Sequence, residues 1–194
     1  MNKEWLATVE QALAQIGSFS QEHIRLFNQT VQPRFVEKDT ILLAQGAICQ
    51  TIYWGVEGAF CQVAQEDDQE PTIIDLHTRG QWIFNQQSLV TQTPSLHTIQ
   101  AYSTGIVLEL PLRAVHQLIE QSPVFLQLGR LMLQATDRIY FFDQHLTPAQ
   151  KYQYILDAHP QLISIYPLKM IAAYLKMTPE TLSRIRERMS RGIS

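Results

Sequence analysis

What this 194-residue chain has little of narrows its chemistry before any motif is considered. Cysteine is scarce: Cys49 and Cys61 stand alone, neither in a C-x-x-C nor a C-x-x-H context, so no four-thiolate metal site can be built. A disulfide between them is disfavoured in a reducing cytosol, and two inert, partly buried thiols are expected. The histidines, His23, His77, His97, His116, His145 and His159, are scattered without an i, i+4 pair, so no metal is expected. No uninterrupted apolar run approaches the roughly 20 residues of a membrane span. The opening residues, MNKEWLATVEQALAQIGSF, lack the apolar stretch and small-residue cleavage site of a signal peptide, and a cytoplasmic location is expected. A nucleophile elbow, a phosphate-binding glycine loop and paired carboxylates in a recognisable frame are also missing, which argues against an enzyme.

What is present is the composition of a compact folded chain, 45% hydrophobic and 17% charged. Charge is unevenly spread. From Gln161 to Ser194 six Lys/Arg oppose two acids, a net +4, which leaves −7 for the rest of a chain whose total is −3. An acidic body with a basic end points to a polyanionic partner for that end.

The apolar pattern changes period twice. Glu4 to Ile16 places Trp5, Leu6, Val9, Leu13 and Ile16 on one side of a helix that Gly17 stops, and Ser20 can cap a second helix through Gln21–Asn28. From Val31 to Leu110 short runs such as TIYWGV, AFCQVA, PTIIDL and GIVLEL alternate with Gly46, Gly58, Gly80, the acidic QEDDQEP and TQTPS. Strands at this spacing predict an antiparallel barrel or sandwich rather than a βαβ sheet, with QEDDQEP as a solvated hairpin tip. Helical period then returns. Pro111 begins a helix through Glu120, and Ser122-Pro123 supplies a cap and an N1 proline for a helix from Val124 to about Gln144. Its stripe of Val124, Leu128, Leu131, Ala135, Ile139 and Phe142 fits either packing on the β-region or a dimer seam. The T-x-x-Q of Thr147 to Gln150 is a capping box that opens a last, small helical unit. The expected domains are therefore 1–121, 122–146 and 147–194.

The segment LKMIAAYLKMTPETLSRIRERM, residues 168 to 189, is the most informative. With Leu168 as position 1, apolar residues occupy positions 4, 8, 10, 15 and 18, and Ala172 stands at 5. In a helix-turn-helix, positions 4 and 8 share the inner face of the first helix, 15 and 18 that of the second, and position 10 plugs the gap under the turn. Thr178, Pro179 and Glu180 would be cap, N1 residue and dipole partner of the second helix. Thr181, Ser183, Arg184, Arg186 and Arg188 are then spread over its exposed surface, where arginine can grip guanine or phosphate and Glu180 can accept from cytosine. Lys176 stands at the turn, where the backbone tends to be left-handed and glycine is usual; lysine there costs roughly 1–2 kcal/mol. Spacing alone admits a DNA-reading unit or a merely structural helical pair.

YPLKMIAAYLKMTPETLSRIRERM resembles the recurring PL..IA.YL..TPETLSR.R stretch of the Crp/Fnr family of bacterial transcription regulators, in particular its compact Bacteroidetes-type members. QKYQYILDAHPQL resembles the segment before it, and Gly46, Gly58 and Gly80 stand at the family's turn glycines. The resemblance implies an α+β fold: an N-terminal cyclic-nucleotide-binding-like antiparallel β-barrel of jelly-roll type with flanking helices, a long dimerisation helix around Val124–Phe142, and a C-terminal helix-turn-helix. It implies a homodimer on a near-palindromic double-stranded DNA site, RNA polymerase as a further partner, Glu180 and Arg184 as base contacts, and Thr178 and Ser183 beside them. The chain departs from the family at the cyclic-nucleotide cassette. Phe84-Asn85 replace the Gly-Glu pair, and Pro94-Ser95-Leu96 stand where the arginine segment belongs. Without that cation a buried phosphate lacks its charge-assisted partner, so cyclic AMP is not expected and no cofactor is assigned. Trp82, Phe84, Asn85, Leu89, Ser95 and Leu96 are the residues that could line a pocket, and a β-wing is not expected before Ser194. A second reading is a small-molecule or protein-binding sensor whose helix-turn-helix is vestigial and reads no DNA.

Overall fold

The computed structural model describes residues 5–65, 71–133 and 146–190. Helices α1 (Leu6–Ala14) and α2 (Gln21–Thr30) lead into eight strands. The strands are β1 (Gln32–Val36), β2 (Ile41–Leu43), β3 (Thr51–Glu57), β4 (Ala59–Ala64), β5 (Thr72–Thr78), β6 (Trp82–Ile83), β7 (Thr98–Ala101) and β8 (Gly105–Pro111). Helix α3 (Gln86–Thr91) lies between β6 and β7, and α4 (Leu112–Gln121) follows β8. The expected antiparallel strands are present, but among the described residues they do not close into a barrel. They pair antiparallel into two four-stranded sheets, β1-β8-β3-β6 and β2-β7-β4-β5. Strands β1 and β6 end the first sheet and β2 and β5 the second, so among the described residues the unit is a two-layered jelly-roll-like sandwich.

The apolar runs explain the layers. Val36, Trp54, Phe60, Ile83, Ile99 and Leu108 fill the space between the sheets and join α1, α2 and α4 in one core. An aromatic row ties the helices to it. Phe27 stacks on Phe125 at 6.4 Å and meets Trp82 edge-on at 6.5 Å, and Trp82 meets Trp54 at 5.1 Å. Turn geometry closes the hairpins. Gly58 has φ +90° between β3 and β4, and a Cβ there would lie 2.9 Å from the Thr104 carbonyl, so glycine is required.

The segment after α4 differs from expectation. Pro123–Gly129 is a 3-10 helix, residues 130–133 continue as α-helix, and Ser122 makes no cap. Its hydroxyl lies 3.1 Å from His23 Nε2 instead, so it anchors α2. Leu128 and Leu131 are buried in the core with Phe125, while Leu126 and Leu133 are exposed. Of the two readings of the stripe, packing on the β-region therefore holds for Leu128 and Leu131, which are not free for a dimer seam. Ala135, Ile139 and Phe142, together with the acids of QEDDQEP, lie outside the described residues.

The C-terminal unit contains α5 (Pro148–Ala158), α6 (Gln161–Ile165), α7 (Leu168–Tyr174) and α8 (Pro179–Ser190). The capping box at Thr147 and Gln150 is complete, with both reciprocal hydrogen bonds formed. This unit shares a second core with the outer face of the β4–β5 sheet, where Ala59, Cys61, Val63 and Leu76 meet Leu162, Tyr166, Ile171 and Leu175. No helix among the described residues is long and apolar enough to cross a membrane. Phe125 is fully buried against Phe19, His23 and Phe27. Phe125→Ala should therefore cost about 3–5 kcal/mol in urea unfolding.

Candidate nucleic-acid interface and effector groove

Ile171, Leu175, Leu182 and Ile185 meet in the small core anticipated for residues 168–187, with Ala172 buried beside them and Met177 partly buried. Helix α7 stops because the chain turns back: Lys176 N donates to Ala173 O at 3.0 Å and Met177 N to Ala172 O at 3.0 Å. Lys176 takes the left-handed conformation the spacing demanded, φ +54°. Thr178 caps α8, its Oγ1 accepting from Thr181 N at 3.2 Å, and Pro179 is the first helical residue.

With Leu182 and Ile185 inward, about 100° of rotation per residue fixes where the other side chains go. Glu180, Arg184 and Glu187 project from the side opposite the buried stripe, and Ser183 and Arg188 flank them. Thr181 and Arg186 lie nearer the stripe, on its two opposite borders, so they cannot both face one groove. Glu180, Arg184, Arg186 and Arg188 are exposed, and Thr181 and Ser183 are half-buried. Glu187, at the middle of the outward face, was not among the residues singled out from sequence, although its i, i+3 spacing from Arg184 placed it there. The Glu180 carboxyl is held below its ordinary range by its own backbone N–H first, then by the Thr178 hydroxyl, and more weakly by Arg184. It therefore presents a pre-oriented anion at the helix start.

The residues proposed for a pocket separate. Trp82, Phe84 and Asn85 line a groove of about 980 Å³. Ser95, Leu89 and Leu96 do not. Ser95 is buried and internally engaged, its Oγ donating to His97 O at 2.7 Å and accepting from His97 N at 3.1 Å. Leu89 belongs to the core, and Leu96 is 66% exposed. Asn85 spends its side chain on a helix cap, accepting from Ser88 N at 2.8 Å. The groove runs from Gln11 on α1 and Gln15 at its C-terminal cap past Gln62 and His77 to His159 and Tyr174 of the C-terminal unit, so both parts of the chain bound it. Arg79 is its one Lys/Arg wall residue among the described residues and is exposed at the β5–β6 turn. Burial lowers the His97 pKa, which favours the neutral ring, and Gln62 Nε2 lies 2.9 Å from its Nδ1. The indole N–H of Trp82 is buried with no acceptor among the described residues. Both cysteines are buried free thiols, and desolvation raises their pKa values, which makes them poor nucleophiles.

The C-terminal unit is held to the sheet by side chains the sequence did not flag. Tyr166 points its hydroxyl at two paired carbonyls, Phe60 on β4 and His77 on β5, at 2.7 Å each. Its ring lies 4.8 Å from that of Tyr102. Burial, with Cys61 adding to it, pushes the phenol pKa far above its usual value, so it stays a donor.

A jelly roll with a short helix between its sixth and seventh strands defines the class. Residues 33–122 match the family model described as the cyclic nucleotide-binding domain. The whole architecture has counterparts among solved structures. A putative cyclic nucleotide binding protein of Ruegeria pomeroyi superposes with a TM-score of 0.67 at 18% identity, over 98% of this chain and 89% of that one. FixK2 of Bradyrhizobium japonicum gives 0.65 at 15%, over 84% and 86%. The c-di-GMP responsive global regulator CLP of Xanthomonas campestris gives 0.60 at 16%, over 89% and 93%. At these identities the likeness is one of fold. No curated protein matches the sequence.

Lys176→Gly should raise stability by about 1 kcal/mol in thermal or urea unfolding, because glycine removes the left-handed strain at some entropic cost. Thr178→Val should raise the Glu180 pKa toward the ordinary glutamate value of about 4.3, read from its side-chain carboxyl carbon by NMR.

Proposed function

We propose that this protein is a homodimeric, sequence-specific DNA-binding transcription regulator of the Crp/Fnr kind, whose jelly roll does not respond to cyclic AMP. The observation that carries the reading is α8 itself: a capped helix whose inner residues are buried and whose outward side presents Glu180 and Arg184 to solvent. In this reading α7 and α8 are the helix-turn-helix, and α8 enters the major groove by its N-terminal end. Glu180 accepts from a cytosine amine, Arg184 donates to a guanine edge, and Thr178, Ser183 and Arg188 hold the backbone on either side. Thr181 and Arg186, on opposite borders of the helix, contact flanking phosphates.

The structural neighbours that are regulators of this kind support the general class. The proposed divisions are a sensor unit at 1–121, a linker at 122–146 and a reading unit at 147–194. Leu126 and Leu133, with the stretch up to Phe142, provide the dimer contact. Two reading helices would then address successive major grooves about 34 Å apart on a near-palindromic site. RNA polymerase is a further partner and the cytoplasm the location, with no enzymatic activity. The reading without cyclic AMP rests on Asn85, whose side chain is committed to a cap, and on the absence of any Lys or Arg from Gln86 to Leu112. The second reading, a sensor with a vestigial helix-turn-helix, is favoured by Glu187, which puts a second anion on the face that would meet phosphates.

Selection of bound duplexes from a random pool, run without added ligand, should enrich a two-fold symmetric motif. Arg184→Ala should then lose about 1–3 kcal/mol of discrimination at one base pair per half-site. Log affinity should fall linearly with log salt. Cyclic AMP should leave all of this unchanged. Unaltered affinity and base preference in Arg184→Ala would refute the readout.

A further inference from the structure

Helix α8 is carried by its neighbours: it packs on α5 and α7, while α6 and α7 pack on the edge strand β5. Its position relative to the jelly roll therefore depends on how α6 and α7 sit on β5, and Tyr166 and Pro167 join those two helices. Tyr166 is the C-cap of α6, its N–H bonded to Leu162 O at 2.9 Å, and the Pro167 carbonyl accepts the first amides of α7. From this joint the Tyr166 hydroxyl reaches two carbonyls on adjacent strands at once, a geometry that tolerates little sliding along or across the sheet. Two weaker tethers reach the same end of β5 and its following turn. Thr78 Oγ1 donates to Gln161 Oε1 at 3.3 Å, and Gln81 Nε2 lies 3.4 Å from His159 Nδ1. The apolar contacts around them, Ala59, Cys61, Val63 and Leu76, give area but little direction.

We propose that Tyr166 is a positioning residue for DNA reading: its shared hydroxyl fixes α7 and α8 on the outer face of the β4–β5 sheet and thereby sets the half-site separation that a dimer accepts. This rests on the DNA-binding reading above. Tyr166 touches no DNA in this scheme. It acts by making the distance between two reading helices a property of the sensor unit rather than of a flexible joint.

The test uses Tyr166→Phe, which keeps the ring and its packing, and Gln161→Ala, an exposed substitution that removes a weaker tether without risk to the fold. Spin labels at Lys38→Cys and Glu187→Cys, specific because Cys49 and Cys61 are buried, report the separation of the two units in the full chain diluted with unlabelled protein. The parent should give one narrow distance. Tyr166→Phe should add a second, broader population, with the docked fraction over the undocked lowered about tenfold, and Gln161→Ala should move it less in the same direction. On duplexes carrying the selected half-sites, inserting one base pair between them should cost the parent about tenfold in affinity. The same insertion should cost Tyr166→Phe about threefold or less, while both bind an isolated half-site equally. A loss of structure would lower half-site binding too, which the latch does not predict. Unchanged distances and an unchanged insertion penalty in Tyr166→Phe would overturn the proposal. If the parent selects no DNA, the regulator reading falls and the spacing claim with it. If the parent selects DNA but Tyr166→Phe behaves identically, only the latch falls.

Discussion

Strand β4 has no solvent face, and the rest of the molecule is arranged around that constraint. Phe60 points between the sheets, while Ala59, Cys61 and Val63 point outward into a second core built with the C-terminal helices. A sandwich strand ordinarily alternates apolar and polar side chains, with water on one side. Here the outward side chains Ala59, Cys61 and Val63 are apolar and buried, and the C-terminal unit is what covers them, while Gln62 on the other side lines the groove. The Tyr166 hydroxyl supplies direction to what is otherwise a non-directional apolar contact. Docked in this way, the C-terminal unit keeps the outward side of α8 uncovered.

The same docking gives the groove its character. It lies where the jelly roll, α1, α3 and the C-terminal unit converge, so both parts of the chain share its walls. Its polar lining is mostly amide and imidazole, and its single Lys/Arg side chain among the described residues is exposed. A cyclic phosphate would find no buried guanidinium there. Asn85 and Ser95 are committed to hydrogen bonds with neighbouring residues.

Much of this was legible in the residues. The eight strands, the turn glycines, the capping box at Thr147, the cap at Thr178 and the left-handed turn at Lys176 follow from local rules of period and punctuation, and each is where those rules put it. Closure into a barrel was not legible, because whether eight strands form one sheet or two depends on pairings between distant segments. The linker misled for a related reason. Ser122-Pro123 reads as a helix start, but Ser122 turns to His23, and a 3-10 segment intervenes. Leu128 and Leu131 share a stripe with the exposed face, and only their burial shows that they belong to the core. Spacing placed Glu180 and Arg184 on the exposed side of α8, where they lie, whereas Ser95 and Leu96 were placed in a pocket by alignment to a pattern whose key cation is missing, and they do not line the groove. Tyr166 escaped notice because its partners are main-chain carbonyls 106 and 89 residues away, which no sequence motif encodes. The run AFCQVA, apolar at every position but Gln62, was the one available signal that this sheet is covered on both faces.

The central claim is that the outward side of α8, docked on the sheet, is a DNA-reading surface. Hydroxyl-radical footprinting on a selected duplex tests it most directly. The account predicts two protected patches related by a two-fold axis, centred one helical turn of about 34 Å apart on one face of the duplex. Both should vanish together in Glu180→Ala/Arg184→Ala protein that retains its fold. A single unsymmetrical patch, or protection that survives in that variant, would contradict it.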